Sequence, residues 1–268
     1  MEHSKTALSV NLNKVALLRN ARDLDLPSVA HAARICLDAG ADGLTVHPRP
    51  DRRHIRPDDV TALAALLAEE NNQAEYNIEG NPFAEAEEGY PGFLALVEQA
   101  AETGRLDQCT LVPDAPGQRT SDHGWDLSRD AERLAPHIAR LKSLGCRVAL
   151  FMDPEPEAMP AAADLGADRV ELYTEPYARA FADGEPSAEL ARYAAAAEAA
   201  HAAGLGVNAG HDLNLDNLGP FLLAVPHVAE VSIGHALTAD ALWTGLDSAV
   251  RAYQSVLEDA VRLAPARS

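Results

Sequence analysis

Ionisable residues that can carry acid-base chemistry stand at the ends of short apolar runs in this sequence. His47, His211 and His235 follow such runs, and Glu79 and Glu171 lie near the ends of EYNIEG and RVELYT. Imidazole titrates near neutral pH, and burial can move the pKa of a carboxyl group toward that range. These five residues therefore predict a site in which several protons are transferred.

A second group of residues is suited to binding an anion. The segment HPRPDRRHIR, residues 47–56, holds two histidines and four arginines in a chain with a formal net charge of -19. The planar guanidinium group matches phosphate oxygens, and each charge-assisted hydrogen bond contributes about 1.5 to 3 kcal/mol. We take Arg19, Arg22, Arg49 and Arg52 as candidates, and expect Arg53 and Arg56 to lie on the surface, paired with nearby aspartates. A small phosphorylated substrate is predicted.

The elements that must position these residues alternate regularly. Eight apolar runs of strand length occur, at 8–13, 43–48, 75–80, 109–114, 147–153, 169–174, 206–211 and 230–236. Ala-rich segments of helical period separate them, and most end in glycine before the next strand. Eight such units predict an α/β fold, a single (β/α)8 TIM barrel over residues 1–268. An open doubly wound sheet is the alternative, weakened because no first strand leads into Gly-x-Gly-x-x-Gly.

In a barrel of this kind, the carboxyl ends of all strands meet at one mouth, where active sites form. The predicted strands end in polar residues in nearly every case, and we expect these residues to share one face. The set is Asn11, Asn13, Lys14, His47, Arg49, Glu79, Asp153, Glu171, Thr174, His211, Gly234 and His235. Gly234 also precedes a predicted helix start, where backbone N–H groups can bind phosphate.

Composition limits the partners. An acidic chain repels nucleic-acid phosphates and anionic lipid, so neither nucleic acid nor a membrane is expected as a partner. The sequence shows no signal peptide and no apolar run of about 18 residues. Cys36, Cys109 and Cys146 are far apart in sequence, which indicates neither a disulfide framework nor a zinc site and fits a cytoplasmic location.

Several motifs resemble the pyridoxine 5'-phosphate synthase family of vitamin B6 biosynthesis. They are VNLNKVALLRNAR, GADGLTVHPRPDRRHI, NIEG, LVP, VELYT, VNAGHDLNLDN and SIGHA, in the family's order from about residue 8 to residue 250. The resemblance implies a barrel with extra helices, assembled as a homo-octamer. It also implies a transferase-type reaction that condenses 1-deoxy-D-xylulose 5-phosphate with 3-amino-2-oxopropyl phosphate to give pyridoxine 5'-phosphate and inorganic phosphate, without metal or organic cofactor.

The resemblance assigns roles to matching positions. His47 and Glu79 match catalytic bases, His211 a proton donor, and Glu171 a carboxylate that stabilises the transition state. The other matches are substrate contacts: Arg49, His54 and Thr120 to the deoxyxylulose phosphate, and Asn11, Arg22, Gly234 and His235 to the aminoketone phosphate.

The sequence departs from the family pattern at three places. Asn13 and Lys14 stand where the family commonly has Asp-His, Asp212 stands where a glycine is usual, and residues 113–126 follow the pattern loosely. We place Asn13, Lys14 and Asp212 in the substrate-binding set. Lys14 has three interpretations, a Schiff base, a point charge that holds an anion, and a solvated residue, and we favour the second.

Two other functions fit parts of the pattern. A metal-dependent phosphosugar epimerase or aldolase-like barrel would use His47, Glu79, Asp153 and His211 as ligands, although Arg49 would place positive charge beside the ion. A non-catalytic sugar-phosphate-binding barrel would keep the arginines but has no need of the acid-base residues.

Overall fold

Eight parallel strands form a closed barrel in this protein. A computed structural model describes residues 5–69, 73–115, 117–118 and 120–263. The strands pair in chain order, and β8 closes the barrel against β1. Their bounds are β1 Ala7–Asn11, β2 Gly43–Val46, β3 Glu75–Gly80, β4 Gln108–Leu111, β5 Arg147–Met152, β6 Arg169–Leu172, β7 Gly206–Gly210 and β8 Val228–Ile233. The predicted (β/α)8 barrel is confirmed, and the open-sheet alternative is wrong.

Helices follow every strand, and three strands, β1, β6 and β8, are each followed by two. The bounds are α1 Asn13–Asn20, α2 Val29–Asp38, α3 Pro57–Glu69, α4 Phe93–Thr103, α5 Leu127–Ser143, α6 Met159–Asp164, α7 Glu175–Ala182, α8 Ser187–Ala202, α9 Leu218–Ala224, α10 His235–Thr244 and α11 Leu246–Leu263. The second helices are the extra helices that the resemblance implies. None of the helices in the described ranges is long and apolar enough to cross a bilayer.

Local sequence explains where these elements begin and end. Ser28 caps α2 by accepting a hydrogen bond from the backbone N–H of His31 at 3.2 Å. Gly40, with a φ of +97°, follows the same helix and reverses the chain into β2. Strand β2 is buried at every residue, as expected when helices cover the outside of a parallel barrel and side chains fill the inside.

Seven of the eight strands end earlier than predicted, and β3 ends at the predicted residue. Most residues expected to end a strand therefore lie just beyond it, and two of them begin helices: Asn13 starts α1 and His235 starts α10. Pro48, two residues after β2, cannot donate a hydrogen bond to the sheet. Asn11, Glu79 and Glu171 lie within their strands, and the other polar residues lie on the loops and helix starts above the barrel.

Ion pairs close the opposite end of the barrel. Arg169 Nη1 lies 2.7 Å from Glu230 Oε2, and Arg147 Nη1 lies 3.0 Å from Glu75 Oε1. Glu75, Arg147 and Arg169 are the first residues of their strands.

The prediction of one domain over 1–268 stays a prediction, because residues 1–4 and 264–268 lie outside the described ranges.

Candidate active site

A cavity of about 640 Å³ opens at the carboxyl ends of the strands. Its volume lies within the range typical of small-molecule sites. The lining residues are Asn11, Asn13, Lys14, Leu17, His47, Arg49, Arg53, His54, Glu79, Val112, Thr120, Ser121, Phe151, Glu171, His211, Asp212, Ser232, Gly234 and His235. Every residue to which the resemblance or its departures assigned a catalytic or substrate-binding role is in this set except Arg22. Of the wider set of candidates, Arg19, Arg52, Asp153 and Thr174 do not line the cavity. The structure thus brings His47, Glu79, Glu171 and His211 into one cavity.

His47 and Glu79 are neighbours on one wall of the cavity. Nδ1 of His47 lies 3.5 Å from Oε2 of Glu79, and both side chains are buried. Asn11 donates to the same Glu79 oxygen at 3.3 Å, and Asn13 Oδ1 accepts the backbone N–H of His47 at 2.9 Å. The two asparagines therefore help to hold the predicted bases in place.

Asp114, in the loop between β4 and α5, is a site residue that the sequence analysis missed. Its Oδ2 lies 2.6 Å from Arg49 Nη2 and 3.0 Å from His47 Nε2. Ser121 donates to the other oxygen at 2.9 Å. Its position could have indicated it, because Asp114 is the last residue of the fourth predicted strand, 109–114. That strand is the one to whose end the sequence analysis assigned no site residue.

The environment of His47 favours its charged form. Burial alone lowers the pKa of His47, but the contacts with Asp114 and Glu79 outweigh burial and raise the pKa above its ordinary value. Burial also opposes ionisation of Asp114, yet His47 and Arg49 together hold its pKa well below the usual range. Both shifts favour the charged forms, the imidazolium of His47 and the carboxylate of Asp114.

His54 and Lys14 line the cavity beside Arg49 and Arg53, and these four residues form what we call the cationic side of the cavity. The backbone N–H of Ile55 donates to Nδ1 of His54 at 2.9 Å, which leaves Nε2 to carry the hydrogen. Burial, followed by the charges of His47 and Arg49, lowers the pKa of His54 to about 2, so the ring is a neutral donor. Burial and the charge of Arg53 lower the pKa of Lys14.

Glu171 lies deep in the barrel, where its surroundings favour the neutral acid form. Burial, followed by the charges of Glu79 and Glu230, raises its pKa well above the ordinary value. The Thr110 hydroxyl is 3.3 Å from Glu171 Oε2 and 3.2 Å from Asn77 Oδ1. One hydroxyl hydrogen can serve only one of these acceptors, which fits a protonated Glu171 that donates to Thr110.

His211 is held at both ring nitrogens. Nε2 lies 2.5 Å from the Thr120 hydroxyl, and Nδ1 lies 2.6 Å from Asp212 Oδ2. The residue has a φ of +55°, directly after β7, so a sharp turn of the backbone presents the imidazole to the cavity. A histidine with an acidic partner and a hydroxyl partner is suited to proton transfer.

Close backbone packing joins the first and last strands at the mouth. A Cβ on Gly234 would lie 3.0 Å from Cβ of Asn11, which is tighter than ordinary contact. Gly234 also precedes α10, so the first N–H groups of that helix lie at the cavity beside His235. This position can accept an anion, as the sequence predicts.

The other arginine candidates are placed differently. Arg19 is buried and paired with Asp59, with Nη1 2.5 Å from Oδ1, so the prediction that it binds phosphate is wrong. Arg52 lines a separate cavity of about 480 Å³. Arg53 and Arg56 pair with Asp51 at 3.0 Å and Asp25 at 3.1 Å, but Arg53 also lines the larger cavity. Arg22 is exposed, and it is not among the residues that line the larger cavity in the described part of the chain.

The chain matches the model of a known family over residues 8–259, nearly its whole length. That family is described as pyridoxal phosphate biosynthesis protein PdxJ. The chain belongs to this family. The resemblance inferred from the motifs is confirmed, and the family is one of enzymes in vitamin B6 biosynthesis.

Curated relatives agree with the PdxJ assignment. The pyridoxine 5'-phosphate synthase of Xanthomonas campestris pv. campestris (strain B100) is 57% identical over 252 residues, which cover 94% of this chain and 96% of the relative. The protein of the same name from Albidiferax ferrireducens (strain ATCC BAA-621 / DSM 15236 / T118) is 58% identical over 248 residues, covering 92% and 96%.

Solved structures of other barrels share the fold. A tryptophan synthase from M. tuberculosis aligns with a TM-score of 0.63 at 17% identity, covering 97% of this chain and 94% of that one. A phosphoribosyl anthranilate isomerase from Thermus thermophilus aligns at 0.54 and 16%, covering 95% and 99%. At these identities the likeness concerns the fold alone.

The ligand set of the metal-dependent alternative is incomplete at the cavity. His47, Glu79 and His211 line it, whereas Asp153 is not among the lining residues. Across the described part of the chain, no group of three or more His, Cys, Asp or Glu side chains is arranged to bind a metal ion.

Proposed function

We propose that this PdxJ-family chain is a pyridoxine 5'-phosphate synthase. It condenses 1-deoxy-D-xylulose 5-phosphate with 3-amino-2-oxopropyl phosphate to give pyridoxine 5'-phosphate and inorganic phosphate. The observation that carries the proposal is the single cavity in which His47, Glu79, Glu171 and His211 meet a cationic side. The relatives of the same activity, at 56–58% identity, support it.

The reaction needs protons moved on both faces of a forming ring, and the barrel supplies groups on opposite walls. His47 directly follows β2 and Glu79 lies in β3, whereas Glu171 lies in β6 and His211 directly follows β7. In a closed ring of eight strands, these pairs are four strands apart. A ring assembled between the walls can lose a proton to one side and receive one from the other.

Three of the four groups differ in proton content. Glu171 is a neutral acid that can donate or hydrogen-bond, and His211 is oriented by Asp212 for proton donation. On the other wall, the Glu79 carboxylate is an acceptor with an Asn11 hydrogen bond. Loss of water during amine-ketone condensation needs both a donor and an acceptor, which two carboxyl groups in different environments provide.

Two anion positions suit two phosphorylated substrates. Lys14, Arg49 and His54 form the first, for the deoxyxylulose phosphate, with Thr120 as a hydroxyl contact. The start of α10, with Gly234 and His235, forms the second, for the aminoketone phosphate. Arg22 stays a predicted contact to the latter, and exchanging it for lysine would show whether its guanidinium fork raises affinity.

Activity is tested with the two substrates together, by release of inorganic phosphate and appearance of pyridoxine 5'-phosphate. His47→Asn and Glu79→Gln should each lower kcat by on the order of 100-fold, because general acid-base groups contribute about that much. His201→Asn and Glu258→Gln are the controls, because they make the same substitutions at exposed residues away from the mouth. Both should leave the rate unchanged. No product with the wild-type chain would overturn the proposal.

Chelation separates this mechanism from the metal-dependent alternative. The proposed proton transfers use side chains alone, so exhaustive chelation should leave turnover unchanged. Loss of turnover that Zn²⁺ or Mn²⁺ restores would favour the epimerase-like alternative.

Assembly and location complete the proposal. A homo-octamer in the cytoplasm is expected from the resemblance, and exposed apolar side chains are consistent with contact between copies. Leu24, Leu26, Leu242 and Trp243 are 63, 66, 66 and 86% exposed. Sedimentation velocity should give a mass about eight times that of the chain, and a monomer would contradict the assembly without touching the chemistry.

A further inference from the structure

The carboxylate of Asp114 lies against Arg49 and His47, two residues that line the cavity, although Asp114 is not itself among the lining residues. A single oxygen, Oδ2, lies 2.6 Å from Arg49 Nη2 and 3.0 Å from His47 Nε2. The Asp114 side chain is only 8% exposed. Two cationic nitrogens that converge on one oxygen form a position suited to an anionic oxygen of a ligand, although Asp114 Oδ2 itself makes no hydrogen bond there. In this structure the protein fills that position with its own anion.

The carboxylate is fixed from behind as well. Ser121 donates to Oδ1 at 2.9 Å, and the side-chain amide of Asn81 donates to the Asp114 backbone carbonyl at 2.7 Å. Both contacts place the residue over Arg49 without depending on a ligand. Asp114 is therefore held in place by hydrogen bonds of its own side chain and backbone.

The charges around His47 give the occupied site a defined state. Asp114 approaches from the loop after β4, and Glu79 from β3 lies 3.5 Å from Nδ1. Arg49 opposes them from the loop that carries His47, and His54 packs edge-on with ring centroids 6.4 Å apart. The two carboxylates prevail, and the pKa of His47 is raised despite its burial. A ligand that enters must take over Nε2 of His47 and the guanidinium together.

We propose that Asp114 is a specificity-determining residue, an internal competitor for the anion subsite that Arg49 and His47 form. This inference rests on the proposed function for the identity of the substrate, the deoxyxylulose phosphate. A dianionic phosphate competes with a single carboxylate through greater charge and more acceptor oxygens, whereas an uncharged sugar does not. A ligand must therefore bind Arg49 and His47 more strongly than the Asp114 carboxylate does, and this requirement favours phosphorylated ligands.

The test measures binding, so it needs no turnover. Inorganic phosphate is titrated into the full-length protein by calorimetry at constant ionic strength. Asp114→Asn removes the charge with little change of shape, so phosphate should bind at least about tenfold tighter than to wild type. Arg49→Lys in the same background should reverse the gain, because the fork is lost.

The loop offers a matched control. Asp122 carries the same charge on the same loop but is 59% exposed and contacts His123 and Gln118 instead. Asp122→Asn should change phosphate affinity by less than about twofold, since an exposed charge is screened. Equal gains in both variants would overturn the proposal, because the effect would then be one of net charge.

A second variant and a second readout protect the test against misfolding. Ser121→Ala frees Asp114 on one side and should tighten phosphate binding in the same direction by a smaller factor. NMR titration of the His47 ring should show a lower midpoint in Asp114→Asn than in wild type. Unchanged or weaker phosphate binding in folded Asp114→Asn would overturn the proposal.

The outcomes distinguish this inference from the proposed function. Tighter phosphate binding in Asp114→Asn, together with no turnover of the two substrates by wild type, would support the subsite and contradict the synthase. Turnover by wild type with unchanged phosphate affinity in the variant would contradict the subsite alone.

Discussion

The Asp212 carboxylate lies 2.6 Å from Nδ1 of His211, and the Thr120 hydroxyl lies 2.5 Å from Nε2 of the same ring. A carboxylate only accepts hydrogen bonds, so Nδ1 carries a hydrogen and Nε2 faces the cavity. The pairing resembles catalytic triads, in which an acidic residue selects the tautomer of histidine. This geometry favours a positioning role for Asp212 over the direct substrate contact predicted from its place in the motif.

Replacing Asp212 tests that role. Asp212→Ala should lower kcat by roughly 10- to 100-fold with little change in KM for either substrate, because the ring loses its orientation. Steady-state kinetics with each substrate varied in turn give the two constants. Asp216→Asn, an exposed charge in the same loop, serves as the control. A higher KM with unchanged kcat would instead support the substrate contact.

Glu171 links the site to stability. Its folded pKa is raised, so the folded state retains a proton that the unfolded state has lost above the ordinary value of 4.5. Stability is therefore full below that value and declines as pH rises toward the folded pKa, by up to about 1.4 kcal/mol per pH unit. Glu171→Gln removes this decline and should be more stable than wild type at pH 8.

Urea unfolding at pH 5 and pH 8 measures the effect. The stability difference between Glu171→Gln and wild type should grow with pH, whereas Glu258→Gln, on the exposed face of α11, should follow wild type at both. Parallel pH profiles for Glu171→Gln and wild type would show that Glu171 ionises normally.

Gly234 should be intolerant of even one methyl group. A Cβ there would press on Asn11 at 3.0 Å, and Asn11 holds the Glu79 carboxylate. Gly234→Ala should therefore lower kcat/KM by about tenfold or more, since small displacements of catalytic groups are costly. Gly219→Ala is the control, because its Cβ would meet only Val256 at 3.6 Å, an ordinary contact. Equal activity of the two variants would refute the packing argument.

The barrel could be predicted from sequence because its signals are local and repeated. Each unit combines an apolar strand, an Ala-rich helix and a glycine at the turn, as in α2, Gly40 and β2. The membership of the site followed from topology, since a closed parallel barrel gathers all carboxyl ends at one mouth. His47, Glu79, Glu171 and His211 needed no further information to be placed together.

Contacts made by loops could not be predicted in the same way. Asp114 reaches Arg49 across the mouth, and Arg19 pairs with Asp59, 40 residues away in the chain. These pairings depend on loop and helix conformations that no periodicity records. Arg19 and Arg49 have the same side chain, both follow predicted strands and each pairs with an aspartate, yet only Arg49 lines the cavity.

The role of Lys14 follows from its place near the start of α1, on the cationic side of the cavity. Burial, then the charges of Arg53 and Arg49, lowers its pKa, which makes a free amine more accessible. A Schiff base with the ketone is therefore chemically available. The aminoketone substrate brings its own amine, however, and that amine makes a protein Schiff base redundant. We expect Lys14 to act as a point charge that holds a substrate anion.

Borohydride trapping in the presence of the deoxyxylulose phosphate tests this expectation for Lys14, and mass spectrometry should find no adduct on it. Lys14→Met should weaken binding of that substrate by about tenfold, and Lys14→Arg should restore most of the loss, because the charge returns without a nucleophilic amine. Lys5→Met, an exchange at a lysine 41% exposed near Asp42, is the control. Affinity in wild type should fall as pH rises through the lowered pKa of Lys14, and Lys14→Arg should not share that fall. A trapped adduct would establish the covalent role, and failure of arginine to rescue binding would contradict the electrostatic one.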